Sequence, residues 1–180
     1  EPVIVSGLGN AALLRSIGYE QAIELDWSDS TSVENATVHF VECQHRSARG
    51  VFDQMRTLWG SFVVETSEGN IYFAGDTGYS PHFKEQGERF GSFALSIIPI
   101  GAYEPRWFLQ DIHLNPKEAV QAHVDLNSNQ SVGVHFGVFQ LTWEPVNQPL
   151  VDLDTALRDA EIDAESFWAL EPGQARTISR

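Results

Sequence analysis

The fold of this chain is decided by residues 71–79, which read IYFAGDTGY. The apolar, aromatic-rich residues 71–75 predict a β-strand. The segment Ser61–Thr66 predicts a second strand, and the intervening residues 67–70, SEGN, are typical of a hairpin turn. Asp76 therefore follows directly on an apolar strand, at the beginning of a loop.

Two histidines occupy the same kind of position. His45 follows a predicted strand at 38–43, and His135 follows one at Ser131–Val134. In layered α/β folds the loops at strand C-terminal ends converge, and two histidines with one aspartate suit a metal such as zinc. A histidine at a strand end is nevertheless often structural, and an aspartate before Thr-Gly is a common turn former. The residues alone thus leave a metal site and a structural interpretation equally open.

The remaining pattern alternates strands with helices. Residues 44–57 are polar and basic and predict a long loop. Further strands are predicted at 3–5, 23–25, 94–100 and 175–178, and helices at 10–17, 81–90, 116–124 and 152–160. This order predicts an α/β protein with layered sheets and outer helices. Because the sequence contains no repeat or linker, we expect residues 1–180 to form a single unit.

Composition excludes several classes of function. The 180 residues are 42% hydrophobic, which is globular composition, and carry a formal net charge of -14. Such an acidic chain is not expected to bind nucleic acid through a general phosphate-seeking surface. No apolar run reaches the roughly 20 residues of a membrane-spanning helix. The single cysteine, Cys43, is predicted to be a small core residue, whereas His82 and His123 are predicted to lie on helix surfaces. We expect a cytoplasmic protein.

The segment GDTGY at 75–79 resembles the aspartate motif of the metallo-β-lactamase superfamily. Further segments are similar to the branch of that superfamily containing N-acyl-phosphatidylethanolamine-hydrolysing phospholipase D and its bacterial relatives. They are QHRSARG at 44–50, TLWG at 57–60, IGAYEPRW at 100–107, HLNPKEAV at 113–120 and HFGVFQLTWEP at 135–145. The opening segments GLGN at 7–10 and ELDW at 24–27 also resemble that branch. The resemblance therefore covers nearly the whole chain.

The resemblance implies a metal-dependent hydrolase with two divalent metal ions, zinc being the expected one. His45 would bind the first metal, Asp76 would bridge both, and His135 would bind the second. A hydroxide held between the metals would attack a phosphorus or carbonyl centre. Asp76 and His113 are the catalytic candidates, with His113 acting as proton donor or phosphate contact. The alternative for His113 is a surface histidine flanking a helix.

Five residues are candidates for substrate binding. Trp59, Tyr103 and Trp107 could line a substrate channel, or could equally be packing residues. Arg49 and Arg106 could meet phosphate oxygens through their planar guanidinium groups, although Arg49 could instead pin its own loop. The substrate implied is a phospholipid or a smaller phosphodiester. A lactone is the alternative, because other branches open cyclic esters at the same kind of metal centre.

The chain departs from the superfamily pattern in one large respect. The motif His-x-His-x-Asp-His, which the superfamily carries in its N-terminal half, does not occur in the sequence. The chain is therefore predicted to be the C-terminal half of a four-layer αβ/βα sandwich. It begins abruptly with a β-branched run, and we expect a fragment, one half of a two-chain assembly, or a truncated binding protein. Such a half is expected to self-associate or to pair with the missing half, and to be inactive alone.

Overall fold

The computed structural model describes residues 2–178, which form one large mixed sheet, one small sheet and helices. The large sheet has the strand order β3-β4-β5-β6-β7-β8-β9, and β1 pairs with β2 separately. The strands are β1 (Ile4–Gly7), β2 (Ala22–Leu25), β3 (Ser30–Val33), β4 (Ala36–Val41), β5 (Ser61–Thr66), β6 (Gly69–Phe73), β7 (Phe93–Pro99), β8 (Ser131–Val134) and β9 (Phe167–Trp168). The helices are α1 (Ala11–Ser16), α2 (His82–Phe90), α3 (Arg106–Leu109), α4 (Pro116–Asp125) and α5 (Gln148–Asp159).

Strand direction brings several loops to one edge of the large sheet. Strands β4, β5 and β6 form an antiparallel meander, and β6, β7, β8 and β9 are parallel. Since β4 and β6 flank β5, they run in the same direction. The C-terminal ends of β4, β6, β7 and β8 therefore lie at one edge, where the loops containing His45, Asp76 and His135 begin.

One face of the large sheet is covered by helices α2, α4 and α5. Tyr72 of β6 and Ile98 of β7 are fully buried there, beside Phe83 of α2 and Leu157 of α5. Asn115 is the N-cap of helix α4, and its side chain accepts a hydrogen bond from the Glu118 amide in a capping box. This face forms the hydrophobic core of the chain.

The opposite face of the large sheet is apolar but incompletely covered. Register pairs Ile71 with Leu95 and Phe73 with Ile97, which places these four side chains on the face away from Tyr72. Ile71, Leu95 and Ile97 are half-buried, and Phe73 is 43% exposed. We call this set of four residues the open sheet face.

The mixed α/β class predicted from the sequence is confirmed, and several elements differ from prediction. Residues 175–178 form no strand, and the last strand is instead Phe167–Trp168. Strand β3 and helix α3 were not predicted, and α5 begins at Gln148 rather than at 152 because its first turn contains Pro149. Within residues 2–178 no helix is both long and apolar enough to cross a bilayer. The assignment as the C-terminal half of a sandwich stays a prediction.

Three side-chain environments also differ from expectation. His82 and His123 were expected on helix surfaces, but both are buried, with 5% and 7% of their surface exposed. Each ring contacts an aromatic side chain of the core, Phe83 and Phe167 respectively. Cys43 is half-buried rather than fully buried, and its burial raises the pKa of the thiol to about 11. A thiol of this kind is protonated and unreactive near neutral pH.

Candidate metal centre

Four predicted site residues meet at the C-terminal edge of the sheet. The His45 and His113 rings lie 5.6 Å apart between centroids, and His113 and His135 lie 5.4 Å apart. Nε2 of His135 is 3.6 Å from Oδ1 of Asp76. The structure thus brings together the three predicted metal ligands and the predicted proton donor, although metal binding itself stays a prediction.

Each of the three histidines presents a buried ring nitrogen without a hydrogen-bond partner. These atoms are Nε2 of His45, Nδ1 of His113 and Nδ1 of His135. In His45 the other nitrogen, Nδ1, lies 2.7 Å from the Arg46 carbonyl oxygen, which can only accept a hydrogen bond. Nδ1 therefore carries a proton, which in the neutral tautomer leaves Nε2 with a free lone pair. A histidine that donates one nitrogen to a carbonyl and leaves the other bare is arranged as metal ligands are.

Burial and charge keep the His113 ring neutral. Desolvation, with a smaller contribution from the neighbouring His135 ring and against the opposing effect of Asp76, lowers the pKa of His113 from 6.5 to about 4. The neutral form is the one that binds metals or donates a single hydrogen bond.

The donor types fit a divalent metal ion, but the set is incomplete. Imidazole nitrogens and a carboxylate are ligands that zinc accepts, normally as three or four at one ion. Among residues 2–178, no group of three or more histidine, cysteine, aspartate or glutamate side chains is arranged to hold a metal ion. Within the described residues, His45, Asp76, His113 and His135 therefore do not by themselves form a complete set of metal ligands.

Backbone contacts fix the Asp76 loop against its neighbours. The Gly78 amide donates to the Gln44 carbonyl at 2.8 Å, and Thr77 Oγ1 accepts from the Gln44 amide at 3.1 Å. A Cβ atom at Gly78 would lie 2.6 Å from the backbone of Asp111, so only glycine permits this approach. Because Gln44 precedes His45 and Thr77 follows Asp76, these contacts set the separation of the two ligand loops.

The His135 loop is set in a similar way by Gly101. A Cβ at Gly101 would lie 2.2 Å from the carbonyl oxygen of His135. His135 itself has a left-handed backbone, with φ of 61°. Such a conformation is uncommon for a residue other than glycine and is concentrated at functional sites.

A cavity of about 530 Å³ opens beside His45 and Asp76. Its lining includes apolar residues of β1, α1 and β5 together with Arg46, Arg49 and Trp59. Arg49 donates from Nη2 to Oδ1 of Asn10 at 2.7 Å, so it does pin its loop while facing the cavity. Trp59 donates from Nε1 to the Cys43 carbonyl at 3.3 Å. Two predicted substrate-binding residues, Arg49 and Trp59, therefore share a cavity with two predicted metal ligands.

The other predicted substrate-binding residues do not line this cavity. Tyr103 is buried, and its hydroxyl lies 2.5 Å from Oδ2 of Asp152 in helix α5. Arg106 donates to both carboxylate oxygens of Glu118 at 2.8 Å and to the His113 carbonyl at 2.9 Å. Trp107 is 76% exposed on α3. Substrate contact stays a prediction for these three, and the contacts of Tyr103 and Arg106 are those of residues that hold loops in place.

Sequence reasoning assigned no role to two carboxylates near the histidines. Glu144 is 8% exposed and accepts hydrogen bonds from the amides of Tyr103 and Glu104. Glu118 bonds to Arg106 and to the start of α4. The sequence did point to both residues, because Glu118 lies in the segment 113–120 and Glu144 in the segment 135–145, and both segments resemble the family.

The family of the chain is decided by comparison with known proteins. Residues 4–136 match the family model described as "Beta-lactamase superfamily domain". The chain belongs to the metallo-β-lactamase superfamily. Within it, N-acyl-phosphatidylethanolamine-hydrolyzing phospholipase D 1 of Caenorhabditis elegans is 38% identical over 165 residues, which are 87% of this chain and 46% of that protein. Within the superfamily, the chain is therefore similar to the branch that contains this phospholipase D.

Other relatives agree on family and fold. An uncharacterized protein of Mycobacterium tuberculosis is 42% identical over 172 residues, which are 93% of this chain and 45% of that protein. This member of the superfamily thus spans less than half the length of the first relatives that it matches. The structure of an isothiocyanate hydrolase from Delia radicum gut bacteria superposes with a TM-score of 0.70 at 19% identity, covering 100% of this chain and 68% of that one. At that identity the likeness concerns the fold alone.

Proposed function

We propose that this chain supplies one side of the active centre of a metal-dependent hydrolase. The observation that carries the proposal is the set of buried, unpartnered ring nitrogens of His45, His113 and His135 beside Asp76. Buried polar atoms without partners are uncommon, and each costs on the order of 1–3 kcal/mol unless a ligand satisfies it. Two divalent ions, zinc by ligand type, would be held by this set: His45 would bind one ion, His135 would bind the other, and Asp76 would contribute to both.

The missing donors are proposed to come from a polypeptide that carries His-x-His-x-Asp-His. Two features support this: the chain spans 45–46% of the length of its relatives, and its large sheet leaves the open sheet face incompletely covered. Packing a second sheet on Ile71, Phe73, Leu95 and Ile97 would bury apolar surface and bring new side chains to the edge that holds the histidines. Such packing would complete both the core and the metal centre.

A phosphodiester is the proposed substrate, either a phospholipid or a smaller molecule. The guanidinium groups of Arg46 and Arg49 border the cavity that His45 and Asp76 also line, and planar guanidinium groups match phosphate oxygens. A relative in the phospholipase D branch is named for hydrolysing N-acyl-phosphatidylethanolamine. When bound, the metal ions would supply an activated hydroxide at neutral pH.

The residues of this chain would bind and orient the substrate around that centre. Arg49, already fixed by Asn10, would hold the anionic group, and Trp59 would form a wall of the cavity. His113, whose ring lies between those of His45 and His135, would contact a phosphate oxygen or the leaving group. Holding a phosphodiester in this orientation reduces the entropic part of the barrier.

Reconstitution tests the proposal. The chain would be mixed with a polypeptide carrying His-x-His-x-Asp-His and zinc, and hydrolysis of a chromogenic phosphodiester and of a lactone would be followed. We expect phosphodiester hydrolysis that is lost in His45→Gln and kept in His39→Gln, whose ring contacts Glu65 and Phe90. Lactone hydrolysis without phosphodiester hydrolysis would reject the substrate class. A stable complex that binds no metal would instead identify a non-catalytic half-domain.

A further inference from the structure

We propose that Glu144 and the Arg106–Glu118 ion pair are positioning residues that hold His113 and His135 in place at this edge. The proposal deepens the proposed function, on which its metal-related part rests. These residues act through hydrogen bonds to the backbone of the loops that contain the site residues and through the ion pair between Arg106 and Glu118.

Glu144 ties the loop after β8 to the loop after β7. Its carboxylate oxygens accept hydrogen bonds from the amides of Tyr103 at 3.2 Å and of Glu104 at 3.0 Å. The neighbouring amide of Trp143 donates to the Glu104 carbonyl at 3.2 Å. Burying a carboxylate that is only 8% exposed costs free energy unless hydrogen-bond donors such as these amides compensate for the lost water. The Glu144 carboxylate and the two amides therefore hold the two loops in a fixed relative position.

Arg106 extends the connection to His113. Its amide donates to Oε2 of Glu104 at 3.1 Å, and its Nη1 donates to the His113 carbonyl at 2.9 Å. Its Nη2 contacts both carboxylate oxygens of Glu118 at 2.8 Å. Arg106 therefore connects three parts of the site: its amide contacts the loop after β7, and its guanidinium group contacts the backbone of His113 and the first turn of α4.

Glu118 fixes the far end of the same loop. Its Oε2 accepts from the Asn115 amide at 3.0 Å, and its own amide donates to Oδ1 of Asn115 at 2.8 Å. The His113 amide donates to the Leu109 carbonyl at 2.8 Å, which closes the loop on its other side. The short segment with the His113 ring is thus held at both ends, one of them through charged side chains.

The connection forms a continuous path from the His135 loop to His113. It runs from Glu144 to the backbone of Glu104, from the Glu104 side chain to Arg106, and from Arg106 to the His113 carbonyl. The backbone contact of Gly101 with the His135 carbonyl joins the same two loops a second time. Displacements of about 1 Å at an active centre are enough to reduce activity severely. A continuous path of hydrogen bonds would limit such displacements of the His113 and His135 rings.

Ring resonances of the histidines give a direct test. Two-dimensional ¹H–¹³C spectra of the chain, without added metal at one alkaline pH, would be recorded for Glu144→Gln, Arg106→Lys and the double variant. We expect the His113 and His135 ring peaks to move in both single variants, and the double variant to move them by less than the sum. The buried rings of His82 and His123, which lie in the core, should not move. Asp154→Asn removes an exposed carboxylate paired with Arg158 and serves as the matched control.

A fall in melting temperature with unmoved His113 and His135 peaks would overturn the proposal. So would equal movement of the His82 and His123 peaks, since that would mean general loosening of the fold. In the reconstituted protein, Glu144→Gln should weaken zinc binding by about 10–100-fold with every ligand intact. Displaced rings with unchanged zinc affinity would overturn the link to the metal centre. If the wild type binds no zinc, the proposed function fails, while the ring spectra still decide whether the loops are linked.

Discussion

Asp76 and His135 face each other across the ends of β6 and β8, with Oδ1 of the aspartate 3.6 Å from Nε2 of the histidine. This separation exceeds that of a hydrogen bond, so neither side chain satisfies the other. Strand β7 lies between β6 and β8, and the parallel arrangement brings both loops to the same side. The gap between the two side chains is where a shared ligand would fit.

Asp76→Asn should reduce metal affinity without reducing fold stability. The Asp76 side chain is 48% exposed, so the free energy of unfolding should change by no more than about 0.5 kcal/mol. Loss of a bridging carboxylate should lower zinc affinity of the reconstituted protein by at least about tenfold. Thermal unfolding and zinc titration measure the two effects, with Asp154→Asn as control. Unchanged zinc affinity would remove Asp76 from the centre.

Gly101→Ala should displace His135. The added Cβ would lie 2.2 Å from the His135 carbonyl oxygen, and relieving that contact should cost about 1–3 kcal/mol of unfolding free energy. Gly50→Ala is the control, because its Cβ would meet Asp53 at an ordinary 3.8 Å. Urea unfolding measures both variants. Equal stability of Gly101→Ala and wild type would show that the close approach is not needed.

His82 should make the fold sensitive to acid. Burial lowers the pKa of His82 from 6.5 to about 4, so the folded state keeps the ring neutral where the unfolded state binds a proton. Stability should be greatest above pH 6.5 and should fall as the pH drops toward 4, by at most about 3 kcal/mol for this residue. His82→Gln should therefore lose less unfolding free energy than wild type between pH 7 and pH 5. If the unfolding free energies of the two proteins fall equally between pH 7 and pH 5, a group other than His82 causes the acid sensitivity.

The open sheet face should drive self-association of the isolated chain. Phe73 is 43% exposed beside Ile71 and Ile97, and exposed apolar patches of this kind favour association. Phe73→Ser should raise the monomer fraction in sedimentation experiments. Phe52→Ser, which changes a loop residue that is 90% exposed, should have a smaller effect. A wild-type chain that is monomeric at all concentrations would contradict the expectation.

The sequence was informative wherever local chemistry decides structure. Two apolar segments joined by the turn residues 67–70 predicted the hairpin of β5 and β6, and the helix predicted at 116–124 corresponds to α4. The positions of His45, Asp76 and His135 after apolar strands predicted their convergence, because β4, β6 and β8 run in one direction. Family resemblance was needed to place His113, which follows a loop and not a strand.

Long-range packing could not be predicted from local pattern. His82 and His123 were expected on helix surfaces, yet both are buried. The His82 ring contacts Phe83, the next residue in α2, whereas the His123 ring contacts Phe167 of the distant strand β9. Arg106 was expected to reach a substrate, but its partner Glu118 lies twelve residues away and takes up much of its guanidinium group. The role of Glu144 depends on amides some forty residues earlier in the chain, which no spacing rule connects.

Metal content tests the central claim most directly. The chain would be purified without added metal, combined with a polypeptide carrying His-x-His-x-Asp-His, and dialysed against trace zinc before elemental analysis. We predict near-stoichiometric zinc in the complex, lost in His45→Gln and His135→Gln and retained in His39→Gln. A stable complex without bound metal, or with the same metal content in all three variants, would contradict the account.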